Sequence, residues 1–368
     1  MERILKLAGQ IADAAAPHAD RHDVEGSFVI EGIEAARESG YLASPVPGEL
    51  GGDGASTADI VEAQRIIGQA CGSTALACSM HLHVALAAAW RWRHGDDVVE
   101  PTLRRVAEDR VVIVSTGGND WTHPTTVATP VEGGWRVSGR KTFASDSPSG
   151  QAMATFAVVG EPAAGAEVLA FGCPMTAEGV TVEETWDSIG MRGTGSHDIV
   201  LDDVFVSEGQ ITGRRRWGEL DRPLMLASLH AWPVVYAGYV GVAEALLETV
   251  LATGKARDEH ARSIGLLDTY LQSARWALGG ALTDLGDDPE PTMEHFVTLQ
   301  QMKWLITMAC RQIASLAPEL AGGVAYARRG PVDRMIRDLG AATYHPYPPE
   351  KALTLVGHAT LGLDPPIP

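Results

Sequence analysis

The sequence predicts an α+β protein of three units: an N-terminal α-helical domain over 1–110, a middle β-barrel-like domain over 111–210 and a C-terminal four-helix bundle over 211–368. Three observations predict it. From Glu2 to about Arg110 apolar residues recur at helical spacing. From about Val111 to Gln210 short apolar or alternating runs lie between glycines, the pattern of a small barrel or sandwich rather than of βαβ units. From about Arg222 to Leu363 long helical patterns return.

Ile4, Leu5, Leu7, Ala8, Ile11 and Ala12 mark the apolar stripe of the first helix. A second helix starts near Phe28 and stops at Gly40, a residue suited to a C-cap with positive φ. Pro45 to Gly54 is loop, after which Ser56 or Thr57 can cap a helix from Ala58 to Ala70. An Ala-rich helix then spans about Ser73 to Trp92. Candidate strands are Val111–Val114, Trp135–Ser138, Thr155–Gly160, Val168–Gly172 and Asp198–Val206. The bundle helices are expected over Ala231–Thr253, Ile264–Leu285, Met293–Ala317 and Val332 to about Ala342.

Composition narrows the function. Charged residues make up 21% and hydrophobic ones 45%, as in an ordinary globular protein. The net charge of -18 argues against a general nucleic-acid binder or a binder of anionic membranes. Arg214-Arg215-Arg216 is a local exception, read as a solvated loop in preference to a phosphate site. The amphipathic N-terminus carries acids and does not read as a signal peptide, and no uninterrupted apolar run suggests a spanning helix, so the cytoplasm is the expected compartment. Cys71, Cys78, Cys173 and Cys310 are scattered without a CxxC, which predicts buried free thiols and no metal site.

Three segments carry a resemblance. Ser44 to Met80 holds a Pro-Gly-Glu-Leu-Gly-Gly loop followed by helices. Thr185 to Ser207 holds Gly-Met-Arg-Gly-Thr-Gly-Ser followed by a Val-Phe-Val strand. Leu320 to Asp338 holds Gly322-Gly323 and, later, Arg337-Asp338. In this order they make the chain resemble the acyl-CoA dehydrogenase superfamily over roughly 1–363, which implies that family's α/β-barrel/α architecture. The resemblance implies a flavin, FAD or FMN, between the middle domain and the bundle. Ser115 and Asn119 stand in the segment Val114–Asp120 that takes the place of the family's Gly-rich flavin turn. Phe143 is implied to pack near the isoalloxazine, with Ser145 at its N5 edge; the plainer reading is a hairpin with a core aromatic. Arg257, Gly322 and Gly323 match positions that grip the FAD of a neighbouring subunit, which implies a homodimer or homotetramer. That grip is altered here, because Asp258-Glu259-His260 follow Arg257 and Glu319 and Ala325 replace the usual residues.

The departure with most consequence concerns the base. The family's catalytic Glu, eight positions after Asp338, falls on Pro346, and the alternative position falls near Ala231. Neither can take a proton. His345 stands beside the first position, as in flavin monooxygenases of this fold, and His81 and His83 lie where those enzymes bring a second His. Imidazole can deprotonate a substrate or hydrogen-bond a flavin C4a-hydroperoxide. Of two His spaced by two on a helix, one must point away from a shared site; each of the three also has a structural reading as a satisfied helix His. The leading expectation is a monooxygenase or hydroxylase using oxygen and reduced flavin delivered by a flavin reductase. The alternatives are an acyl-CoA dehydrogenase with a relocated base, Glu350 or His345, and a flavin-free binding subunit. The substrate is expected to be a small molecule, acyl-CoA or another organic compound. Arg192 is read as a loop-fixing cation, and Asp333 with Arg337 as a surface pair.

Overall fold

The computed structural model describes residues 1–116, 121–253, 258–328 and 330–364. The chain begins with α1 (Glu2–Ala15), which buries Ile4, Leu7, Ala8 and Ile11 as its stripe requires. The helices α2 (Ala19–Glu25), α3 (Ile30–Glu38), α4 (Thr57–Ala70), α5 (Gly72–Arg93) and α6 (Glu100–Glu108) follow. Gly40 takes φ 84° after α3. Ser56 is the N-cap of α4, bonded reciprocally with Asp59 in a capping box.

Eight strands form one sheet: β1 (Ile113–Ser115), β2 (Val127–Val131), β3 (Gly134–Ala144), β4 (Ala152–Val159), β5 (Glu167–Pro174), β6 (Val180–Glu183), β7 (His197–Ser207) and β8 (Ile211–Arg216). Their order is β6-β7-β3-β2-β4-β5-β8, with β1 added beside β4. β1 and β2 both run parallel to β4, and the other pairings are antiparallel. This corrects the barrel-like expectation: the sheet is mixed, and its path ends at β6 and β8 without closing. β8 also carries Arg214–Arg216, expected in a loop, into the sheet, where Arg214 pairs with Glu167 at 3.0 Å and Glu208 at 2.7 Å.

The last unit comprises α7 (Arg222–Ala252), α8 (Ala261–Leu285), α9 (Met293–Ala321), α10 (Pro331–Gly340) and α11 (Pro349–Leu361). α7, α8, α9 and α10 pack as the bundle, and α11 lies on α9. By length and composition α5 and α7 could cross a membrane, yet most of each is buried inside the fold. Both belong to one hydrophobic core shared by the N-terminal and C-terminal helices, while the sheet has a separate core around Trp135, Phe171 and Leu201. All four cysteines are buried and free.

The three units meet at the turn before β7. Asp338 of α10, 1% exposed, accepts the Met191 backbone N–H at 2.5 Å. Arg337 forks onto Asp23 of α2 at 2.8 and 2.5 Å, besides its expected partner Asp333. Arg334 reaches Asp20 at 2.7 Å. Arg192 holds the same turn, bonding the Asp23 carbonyl at 2.7 Å and the Ser188 carbonyl at 2.7 Å. A Cβ on Gly190 would stand 2.2 Å from the Arg337 carbonyl oxygen, so the approach admits only glycine.

Replacing Asp338 tests this junction. D338A leaves the Met191 N–H without its acceptor and two arginines short of a charge, and should cost about 3 kcal/mol. D338N keeps a carbonyl acceptor and should cost about 1 kcal/mol. Urea unfolding of both variants checks the difference, and equal losses would sink the assignment of the Met191 contact.

Candidate active site

A cavity of about 1560 Å³ opens where the three units meet. Pockets for one small ligand run to about 1,000 Å³, so this space suits two bound molecules side by side. α7 lines it with Ala231, Val235 and Tyr239, one residue per turn on a single face. α5 contributes Met80 and His83, the sheet Met153 and Phe171, and the segment after α10 contributes His345.

The two histidines of α5 part company as their spacing requires. His81 is fully buried outside the cavity wall: its Nδ1 accepts the Ile113 N–H at 2.9 Å, and its Nε2 donates to the Leu42 carbonyl at 2.9 Å. With both nitrogens engaged it clips β1 to α5, so its candidacy as a catalyst falls away. His83 faces the cavity and donates from Nδ1 to the Ser79 carbonyl at 2.8 Å. That bond leaves Nε2 as a lone-pair acceptor. Burial lowers the pKa of each to about 4, so both are neutral near pH 7.

His345 also faces the cavity, with Nε2 2.6 Å from the Tyr239 hydroxyl. Burial, then the nearby Lys303, bring its pKa down to about 3. Burial pushes the Tyr239 pKa well above its usual value, so both partners are neutral and either can be the donor. Its place is held from α9 and α7: Lys303 donates to the Pro346 carbonyl, while Tyr236 and Thr307 donate to the Ala342 carbonyl at 2.8 and 3.3 Å. Sequence reasoning missed Tyr239 and Lys303. The stripe 231, 235, 239 was the available signal for the first; nothing local marks the second.

Among the described lining residues the single carboxylate is Asp96, and Arg91 holds it at 2.6 Å. Glu350, considered as a relocated base, sits exposed in the first turn of α11 and is not part of the wall. Arginines outnumber acids here: Arg91, Arg105, Arg214, Arg215 and Arg222 all reach the cavity of a chain whose net charge is -18.

The implied flavin positions form a shelf on the sheet side. Phe143 stands 59% exposed at φ 59°, its ring edge-on to Trp186 at 6.2 Å. Ser115, Phe143, Ser145, Trp186 and Ser196 all line the cavity. Phe143 is thus no core aromatic of a plain hairpin. Ser145 Oγ lies 2.7 Å from Ser196 Oγ, which lies 2.7 Å from Thr194 Oγ1. Exposed aromatic faces beside hydroxyls are a donor and acceptor set that fits a planar flavin ring. Asn119 and Arg257 lie outside the described residues. Gly322 and Gly323 follow the end of α9 on the exposed surface, away from this chain's cavity wall.

The chain matches the acyl-CoA dehydrogenase N-terminal domain over residues 2–99, the middle domain over 115–204 and the C-terminal domain over 235–347. It is 29% identical to L-evernosamine nitrososynthase of Micromonospora sp., covering 97% of this chain and 89% of that protein. It is 29% identical to the acyl-CoA dehydrogenase-like YdbM of Bacillus subtilis, covering 94% and 92%. The structure of KijD3 in complex with FMN and dTDP-3-amino-2,3,6-trideoxy-4-keto-3-methyl-D-glucose superposes with a TM-score of 0.89 at 27% identity, covering 98% of this chain and 93% of that one. The chain belongs to the acyl-CoA dehydrogenase family.

Nitrogen-15 NMR at pH 7 should find His81 carrying its proton on Nε2 and His83 on Nδ1. An imidazolium signal from either would overturn this geometry. The folded protein holds His81, His83, His230 and His345 neutral, with pKa values of about 4, 4, 3 and 3 against the ordinary 6.5. Their contribution to stability is therefore complete above about pH 6.5 and is lost as pH falls towards 3. Thermal unfolding at pH 7 and pH 5 should show a lower midpoint at pH 5.

Proposed function

We propose that this member of the acyl-CoA dehydrogenase family is a flavin-dependent monooxygenase that oxidises the nitrogen of a small anionic amine. The observation that carries this reading is a cavity holding two neutral imidazoles and, among the described residues, no unpaired carboxylate. Removing a proton α to a thioester needs a base of tuned strength beside the flavin, and the described residues of the wall offer no free carboxylate for it. An amine asks for something milder. It must be held as the free base, with its lone pair available, and a neutral acceptor such as His83 Nε2 can take one of its N–H groups.

Reduced flavin, when bound, supplies the two electrons that let one atom of molecular oxygen reach the substrate. Phe143, Ser145, Trp186 and Ser115 would hold its ring. His345 and Tyr239 act as a neutral pair at the same wall: either can donate while the other accepts, so a proton passes through without a buried charge forming. The apolar residues Met153, Phe171 and Val235 keep water from the reacting atoms. The arginines at the wall favour an anionic substituent such as a phosphate. The nitrososynthase and KijD3 likenesses support the same reading, because the first is named for oxidation at nitrogen and the second was seen with FMN and an amino sugar nucleotide. A homo-oligomer, which would bring Gly322 and Gly323 of one subunit towards the flavin of another, and a partner reductase belong to this proposal as well.

The test is a single turnover of the protein loaded with reduced FMN, then mixed with ¹⁸O₂ and a nucleotide-linked amino sugar. Incorporation of one ¹⁸O on nitrogen, seen by mass spectrometry, is expected. H345A and H83A should each lower the yield of oxidised product roughly a hundred-fold while flavin affinity stays within about three-fold. Anaerobic bleaching of bound oxidised FAD by an acyl-CoA would overturn the proposal in favour of a dehydrogenase.

A further inference from the structure

The hydroxyl chain at the flavin shelf has a direction. Thr194 is completely buried, and its Oγ1 lies 2.9 Å from the Met191 carbonyl oxygen. A carbonyl only accepts, so the single hydrogen of Thr194 is spent on it. The 2.7 Å contact between Thr194 and Ser196 then requires Ser196 to donate. With its own hydrogen spent, Ser196 can only accept across the 2.7 Å contact with Ser145. Ser145 therefore donates inward, and its oxygen offers the cavity lone pairs alone.

The chain is fixed at its far end. The Met191 peptide donates its N–H to Asp338 at 2.5 Å and accepts the Trp186 indole N–H at 3.1 Å on the same carbonyl that receives Thr194. Reversing any one hydroxyl would set two oxygens 2.7 or 2.9 Å apart with no hydrogen between them. Such a reversal leaves a buried polar contact unmade, which is costly.

From this we infer that Thr194 and Ser196 make the site selective for the redox state of its flavin: they hold Ser145 as an obligate acceptor, which matches the N5–H of reduced flavin and opposes the bare N5 lone pair of oxidised flavin. The inference deepens the proposed function and rests on its reading of Ser145 as the residue at the N5 edge. Thr194 and Ser196 are positioning residues, acting through Ser145. The role also explains how a protein can take flavin as a reduced co-substrate and release it once oxidised, since losing the N5 hydrogen turns an attraction into a repulsion.

The experiment is anaerobic calorimetric titration of the purified protein with dithionite-reduced FMN, and aerobic titration with oxidised FMN. The wild type should bind the reduced form roughly ten-fold or more tightly, the weight of about one hydrogen bond. S196A frees the Ser145 hydrogen to point into the cavity, so affinity for oxidised FMN should rise and the preference should shrink towards two-fold or less. T194V removes the fixed acceptor and should act in the same direction. Should T194V fail to fold, S196A carries the test, because among the described residues the Ser196 hydroxyl bonds only to Ser145 and Thr194. S145A separates the inference from the reading beneath it. If S145A weakens reduced-flavin binding while S196A and T194V keep the wild-type preference, the directional chain is wrong and Ser145 still faces the flavin. If S145A changes neither affinity, Ser145 does not face the flavin and both fall. A wild type that binds oxidised FMN as tightly as reduced would also overturn the inference.

Discussion

The hydrogen bond from the Met191 N–H to the Asp338 carboxylate is the contact on which the rest of the site depends. A carboxylate this deeply buried is stable only with partners. Burial raises its pKa to about 6, and the charge of Arg334 opposes that rise. The arginines beside it carry the connection onward to Asp20 and Asp23, so the sheet and the two helical units are held in one register. The cavity takes walls from all three units. A shift at this junction would move the sheet side of the cavity relative to the helical side, and with it the shelf relative to the histidines.

Electrostatics inside the cavity follows from burial rather than from paired charges. The two imidazoles of its wall, His83 and His345, are kept neutral by desolvation, and Tyr239 keeps its proton for the same reason. A site built this way supports hydrogen bonding and the passage of protons between neutral partners, and its described residues offer no free carboxylate base. This separates the chemistry of this chain from α-proton abstraction, although the fold is common to both. Arg214 and Arg222 sit with the opposite logic, their charge held within reach of water and of the acids Glu167 and Glu290.

Much of the secondary structure was legible because it depends on local spacing. The stripe of α1, the Ser56 cap, the turn at Gly40 and the C-terminal end of α8 follow from apolar periodicity and backbone preference. The misses have physical reasons. β2 and β8 are mostly half-buried or exposed strands with little apolar alternation and β6 has only four residues, so all three are made strands by their neighbours. α11 begins at Pro348-Pro349, which reads as a turn until the helix packs on α9. Whether the sheet closes depends on strand tilt and pairing at its two edges, which no run of residues encodes. In the site, the rule that His81 and His83 cannot share a target held without saying which would face the cavity.

The sequence by itself determined the family, the order of its three units, the absence of a carboxylate at the expected positions, and the candidacy of His345, His83, Phe143 and Ser145. Those are properties of residue identity and spacing along one chain. Only the tertiary structure decided that His81 is a structural clip, that Tyr239 meets His345, that Lys303 holds the segment carrying it, and that Thr194 and Ser196 set the direction of Ser145. Each of those facts turns on which atom lies within hydrogen-bond distance of which, across dozens of intervening residues in most cases. A hydroxyl has one hydrogen to give, and the fold chooses its recipient.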